Sequence, residues 1–139
     1  MAQVYGVDPK RIYAYDAFDR IANEPAIDVV YVVLPNSMHP EYTIRALKAG
    51  KHVLCEKPLG MTVKEADKMI AACRKARVQL GTALIMRFQT QHQAALKMLG
   101  EGRIGKPTYA RAQLSCWYPQ MKGAWRQDPK TGGGGSLID

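Results

Sequence analysis

The chain has 139 residues, 47% of them hydrophobic and 23% charged, which is the size and make-up of about one soluble globular domain. No apolar run approaches the roughly 20 residues of a membrane-spanning helix, and the longest, residues 29–34 (VVYVVL), has the length of a strand. Lys and Arg number 20 against 12 Asp and Glu, and the resulting charge of +8 favours phosphate-bearing partners. The cations are scattered, with no dense basic block and no interleaved aromatic platform, which argues against a nucleic-acid binder.

Cys55, Cys73 and Cys116 are odd in number and far apart, so they match neither a disulfide framework nor a CxxC motif. They read as buried reduced thiols, which favours a reducing compartment. His39, His52 and His92 share no metal-ligand spacing, and no metal is expected. The opening MAQVYGVDPKR lacks the basic-then-apolar layout of a secretory signal. The expected location is cytoplasmic; a signal upstream of residue 1 would make it periplasmic.

In chain order, residues 12–15 read as a brief strand, and Asp16 as the cap of a short helix carrying Phe18 and Ile21. Residues 29–34, apolar on both faces and rich in valine, read as a strand buried in a parallel sheet. Pro35, Asn36 and Ser37 end it. Pro40 suits the first turn of a helix, Glu41 favours its N-terminus, and Gly50 stops it. Residues 51–55 (KHVLC) form the next strand, completing a right-handed parallel crossover.

Thr62 and Glu65 make a capping box that opens a helix with Ala66, Met69, Ile70 and Cys73 on one face. Residues 78–84 follow as a strand. Thr90 and Gln93 suggest a second capping box for a helix running to Gly100. Beyond Gly105, residues 107–117 alternate loosely and read as one long strand, and residues 118–131 as loop. The four glycines 132–135 read as a tight lead-in to a helix beginning at residues 136–139. The fold class is therefore α/β, a partial parallel sheet with flanking helices followed by the first strand of another unit. An unpaired strand and an uncompleted helix make both ends look cut, as in the middle of a larger two-domain protein.

Glu56-Lys57-Pro58 at the end of the KHVLC strand is a weak motif alone. It follows LPNSMH (34–39) and lies within AGKHVLCEKPL (49–59). Met86-Arg87-Phe88, Gly105-Lys106-Pro107, Trp125-Arg126 and GGGSLID (133–139) come after it. In this order and spacing the chain resembles the Gfo/Idh/MocA oxidoreductases, and its opening resembles the glucose–fructose oxidoreductase branch. The resemblance implies a Rossmann-type dinucleotide-binding domain over residues 1–105, lacking its glycine-rich phosphate turn. It also implies the start of an α+β substrate and oligomerisation domain over 106–139, and a homo-oligomer at full length.

For activity, the resemblance implies transfer of a hydride between NAD or NADP and the carbinol carbon of a sugar or polyol. Leu34, Pro35, Asn36, His39, Glu56, Lys57, Arg87, Trp125 and Arg126 are then cofactor-side positions. Lys57 and Asp139 are the catalytic candidates, Lys57 as a semi-buried ammonium suited to proton transfer or to holding a sugar hydroxyl, there helping a histidine or tyrosine that the family carries four positions after the aspartate. A cis peptide before Pro58 is a frequent family feature. Ala83 departs from relatives that often carry a polar residue there. For several positions a plainer role stays open: turn formation and helix entry for Pro35, Asn36 and His39, an ion pair with Glu56 for Lys57, and packing for Trp125. The competing functions are NAD-dependent glycoside hydrolysis, a non-catalytic dinucleotide-binding module, and a basic nucleic-acid binder.

Overall fold

The computed structural model describes residues 4–135. Three short strands, β1 (Val29–Val32), β2 (His52–Cys55) and β3 (Leu80–Thr82), form a parallel sheet in the order β1-β2-β3. Val29 lies opposite His52, Val32 opposite Cys55, and Val53 opposite Leu80. Helix α1 (His39–Lys48) connects β1 to β2, and α2 (Val63–Ala76) connects β2 to β3. The sequence thus builds two successive crossovers of a Rossmann-like sheet, as its alternation predicts.

Local chemistry explains the helix bounds. Pro40 and Glu41 occupy the first turn of α1, where a missing N–H costs nothing and a carboxylate meets the helix dipole. The capping box of α2 is present. The Glu65 N–H donates to the Thr62 hydroxyl at 3.2 Å, and the Thr62 N–H donates to Glu65 Oε2 at 3.1 Å. At the other end of α2, Arg77 takes the left-handed conformation, φ 57°, that closes the helix.

One face of the sheet, carrying Val32, Val53 and Cys55, packs against Ala46 and Leu47 of α1 and Met69 of α2. The other face, with Val29, Tyr31 and Leu54, is exposed among the described residues. The segment 29–34 is therefore buried on one face only, because both crossover helices lie on the same side. A 3-10 helix, Tyr15–Asn23, adds Ile21 to the core and is pinned through Arg45. The Arg45 guanidinium donates to Asp19 at 2.9 Å and to Glu41 at 3.2 Å, and stacks over Phe18 and Tyr42. Its hydrogen bond holds the Asp19 carboxyl below the usual carboxylate range.

Several local expectations are corrected. Residues 12–15 form no strand, and the 3-10 helix begins at Tyr15 with Ala14 at the cap, so Asp16 lies inside the first turn. The third strand is shorter than 78–84. Helix α3 (Thr90–Gly100) begins at Thr90, with Gln89 at the cap, and the Gln93 side chain donates to the Arg87 carbonyl instead of closing a box. Residues 107–117 form no strand: a strand exists through its ladder partner, and here every residue is exposed and none of the described chain pairs with it. Within 118–131 the chain is not all loop, because Asp128 accepts the Lys130 N–H at 2.9 Å and nucleates a short helix, α4 (Pro129–Gly132). Of the cysteines only Cys55 is buried, and Cys116 is exposed. The helix expected at 136–139 lies outside the described residues. No helix among the described residues is long and apolar enough to cross a membrane.

Two measurements check this packing. Leu47 is fully buried beneath the sheet, so Leu47→Ala lowers unfolding free energy by about 2–5 kcal/mol, whereas Thr62→Ala removes a cap worth about 1 kcal/mol, both read by urea denaturation. Burial pushes the Cys55 thiol above its ordinary pKa, and the Cys73 Sγ donates to the Val78 carbonyl at 3.0 Å. Iodoacetamide therefore labels Cys116 first and Cys55 only on unfolding, an order read by peptide mass spectrometry.

Candidate functional site

Parallel strands release their following loops at one edge, and here the backbone ladder carries on beyond the strands. The Glu56 N–H donates to the Val32 carbonyl at 3.0 Å, and the Ala83 N–H to the Cys55 carbonyl at 2.8 Å. The 34–36 turn and the 56–58 turn consequently leave side by side. The Lys57–Pro58 peptide bond is cis. A cavity of about 360 Å³ opens at this edge, lined by Val33, Leu34, Pro35, Asn36, Glu56, Lys57, Trp125 and Arg126. A second, of about 620 Å³, shares Lys57 and Arg126 and adds Leu114, Ser115, Cys116, Tyr118 and Gly135. The two are joined through a pair of cationic side chains.

Glu56 is fixed at both oxygens. The Tyr31 hydroxyl donates to Oε1, and the Lys57 backbone N–H donates to Oε2 at 3.2 Å. The bond to Glu56 raises the Tyr31 phenol above its ordinary pKa, because the proton is held by the carboxylate. Tyr31 was not among the expected positions: nothing in VVYVVL sets its hydroxyl apart from its apolar neighbours, and only the pairing of β1 with β2 brings it beside Glu56.

His39 is fully buried and does not reach the cavity. Its Nδ1 lies 2.7 Å from the Pro58 carbonyl and its Nε2 2.9 Å from the Leu34 carbonyl, so the ring bridges the two turns from beneath. His39 therefore stands behind the cavity wall and not in its lining. Asn36 lines the cavity but is 1% exposed, and its Nδ2 donates to the Gly132 carbonyl at 2.9 Å.

Trp125 and Arg126 start a 3-10 turn, Trp125–Gln127, with the Arg126 guanidinium 4.3 Å from the centre of the Trp125 ring. The Thr131 hydroxyl donates to the Trp125 carbonyl at 2.8 Å, folding α4 back on this turn. At Gly132 a Cβ would lie 2.6 Å from the Arg126 carbonyl oxygen, so only glycine fits. Gly133, with φ 85° and ψ −129°, adopts a conformation closed to other residues.

The structure thus brings together Leu34, Pro35, Asn36, Glu56, Lys57, Trp125 and Arg126. Arg87 is not with them: it lies exposed on the 3-10 helix Ile85–Phe88, away from the cavity lining. Asp139 lies outside the described residues. No group of three or more His, Cys, Asp or Glu among the described residues is arranged to hold a metal ion.

The sequence model of an oxidoreductase family with an NAD-binding Rossmann fold, Gfo/Idh/MocA, matches residues 1–84, and that of its C-terminal domain matches residues 92–139. The 1,5-anhydro-D-fructose reductase of Ensifer adhaerens is 41% identical over 121 residues, covering 87% of this chain and 36% of the relative. The trans-1,2-dihydrobenzene-1,2-diol dehydrogenase of Xenopus laevis is 34% identical, covering 99% of this chain and 40% of the relative. The crystal structure of aldose-aldose oxidoreductase from Caulobacter crescentus complexed with glycerol superposes with a TM-score of 0.81 at 37% identity, over 99% of this chain and 41% of that one. The chain accordingly spans about two fifths of the length of the relatives it matches. With both family models matched in order and the parallel sheet in place, the chain belongs to the Gfo/Idh/MocA family of NAD-binding oxidoreductases.

Proposed function

We propose that this chain forms part of an oxidoreductase that uses NAD or NADP to interconvert a hydroxyl and a carbonyl on a sugar or polyol. The observation that carries this reading is the convergence of three sequence-distant segments, 34–36, 56–57 and 125–126, on one cavity at the carboxyl edge of a parallel sheet. The names of its relatives, an anhydrofructose reductase and an aldose-aldose oxidoreductase, support the substrate class. Residues 1–105 are assigned to the dinucleotide-binding domain and 106–139 to the start of a substrate and oligomerisation domain. The assembly is proposed to be a homo-oligomer with no nucleic-acid or membrane partner.

The donor set suits a nicotinamide dinucleotide. Glu56 presents a carboxylate whose two oxygens are already oriented, as a ribose hydroxyl requires, while Trp125 and Arg126 offer an aromatic face and a planar cation. When bound, the nicotinamide would supply the two-electron exchange. The chain's own part is to hold and protonate. Lys57 leaves the sheet edge just before Pro58 and borders both cavities, so its ammonium stands between the cofactor side and the larger space. There it assists the proton's passage to the substrate oxygen as carbonyl becomes hydroxyl, and its return in reverse, beside a histidine or tyrosine of the parent enzyme. Asp139 is assigned to orient substrate hydroxyls.

In the enzyme that carries this chain, NADH or NADPH fluorescence titration reports dinucleotide binding; absence of binding of either overturns the reading. Lys57→Ala lowers kcat by about 10²–10⁴-fold while leaving cofactor affinity near the parent value. Lys57→Arg fails to restore turnover, since a guanidinium keeps its proton. Normal kcat with weakened cofactor binding would make Lys57 a cofactor clamp. Normal kcat and normal binding would remove Lys57 from the mechanism, and dinucleotide binding without any turnover in the parent protein would make it a binding module.

A further inference from the structure

We propose that Asn36 is a positioning residue: its side-chain amide latches residues 125–132 onto the carboxyl end of β1 and thereby holds Trp125 and Arg126 in the cavity wall. Its value for catalysis rests on the function proposed above; the latch itself does not.

Asn36 opens the 3-10 turn Asn36–Met38, which follows β1 after residues 33–35, and is almost completely buried. Its Nδ2 donates at 2.9 Å to the Gly132 carbonyl, 96 residues away in sequence. A buried amide of this kind is costly to leave unpaired, so the contact fixes both partners. One N–H of the amide is engaged with the chain itself, and through it Asn36 acts on the cavity by what it holds.

What it holds is a single unit. The Gly132 N–H donates to the Asp128 carbonyl at 2.8 Å, and the Thr131 hydroxyl donates to the Trp125 carbonyl at 2.8 Å. Gly132 lies so close to the Arg126 carbonyl that a Cβ would come within 2.6 Å of it. Residues 125–132 therefore move together, and fixing Gly132 fixes Trp125 and Arg126. Of the described hydrogen bonds, Asn36–Gly132 joins this unit to the edge of the sheet from a buried side chain.

The test uses the 139-residue chain without any ligand, so its outcome is independent of whether the proposed activity is right. In a Trp117→Phe background Trp125 is the sole tryptophan, and acrylamide quenching reads its exposure. Asn36→Asp keeps the side-chain shape but replaces the donor by an acceptor. Loss of the bond shifts the latched-to-open ratio by about 5- to 150-fold. The Trp125 quenching constant is expected to rise toward that of exposed Trp117 measured in Trp125→Phe. Gly132→Ala, which leaves Asn36 and the sheet core untouched, gives the same rise from the other side of the contact. Thr62→Ala, which destabilises α2 alone, leaves Trp125 quenching unchanged and separates the latch from general loss of stability. Unchanged quenching in Asn36→Asp overturns the proposal. Should that variant fail to fold, unchanged quenching in Gly132→Ala overturns it instead.

Discussion

The in-register parallel pairing of β1 with β2 is the constraint on which the rest of the molecule depends. Val32 stands opposite Cys55, so the residues that follow each strand emerge at one edge and one height. The ladder continues through Glu56 and Ala83, which keeps the exits parallel beyond the strands proper. His39 then ties the two exits together by facing the carbonyls of Leu34 and Pro58 at once. A slip of one residue between β1 and β2 would turn Cys55 outward and carry Glu56 and Lys57 away from the 34–36 turn. The site is in this sense a property of register, and the register is held by the packing of Leu47 and Met69 beneath the strands.

Legibility in the sequence follows the range of the interactions concerned. The capping box at Thr62, the proline start of α1 and the strand before Glu56 are set by neighbours a few residues apart, and each was readable from its own segment. The stretch 107–117 has the alternation of a strand but pairs with nothing among the described residues, because strand formation needs a second chain segment to accept its hydrogen bonds. The second capping box failed for a related reason: Gln93 has a competing acceptor, the Arg87 carbonyl, supplied by a preceding 3-10 turn that the pattern does not announce.

The site divides in the same way. Leu34, Pro35, Glu56 and Lys57 were legible because they flank strand ends, where loops of a parallel sheet converge. Trp125 and Arg126 were legible only through the order of family motifs, since nothing local in that segment points toward a sheet some 70 residues earlier in the chain. The setting of His39 was not legible, because the identity of a side chain does not disclose that backbone carbonyls lie against both its nitrogens. A chain with a charge of +8 offers many cations, and their surroundings sort them: Arg45 lies among Asp19, Glu41 and two aromatic rings away from the site, and Lys57 and Arg126 border the cavities.

The glycine run at 132–135 has the composition of a flexible tether, yet three of its four members are individually prescribed. Gly132 is demanded by space, against the Arg126 carbonyl, and Gly133 and Gly135 by their positive φ. A glycine–serine spacer of equal length is therefore no substitute, although composition alone would rank the two as equivalent. Anyone joining domains by cutting at this apparently neutral point would sever a fitted joint.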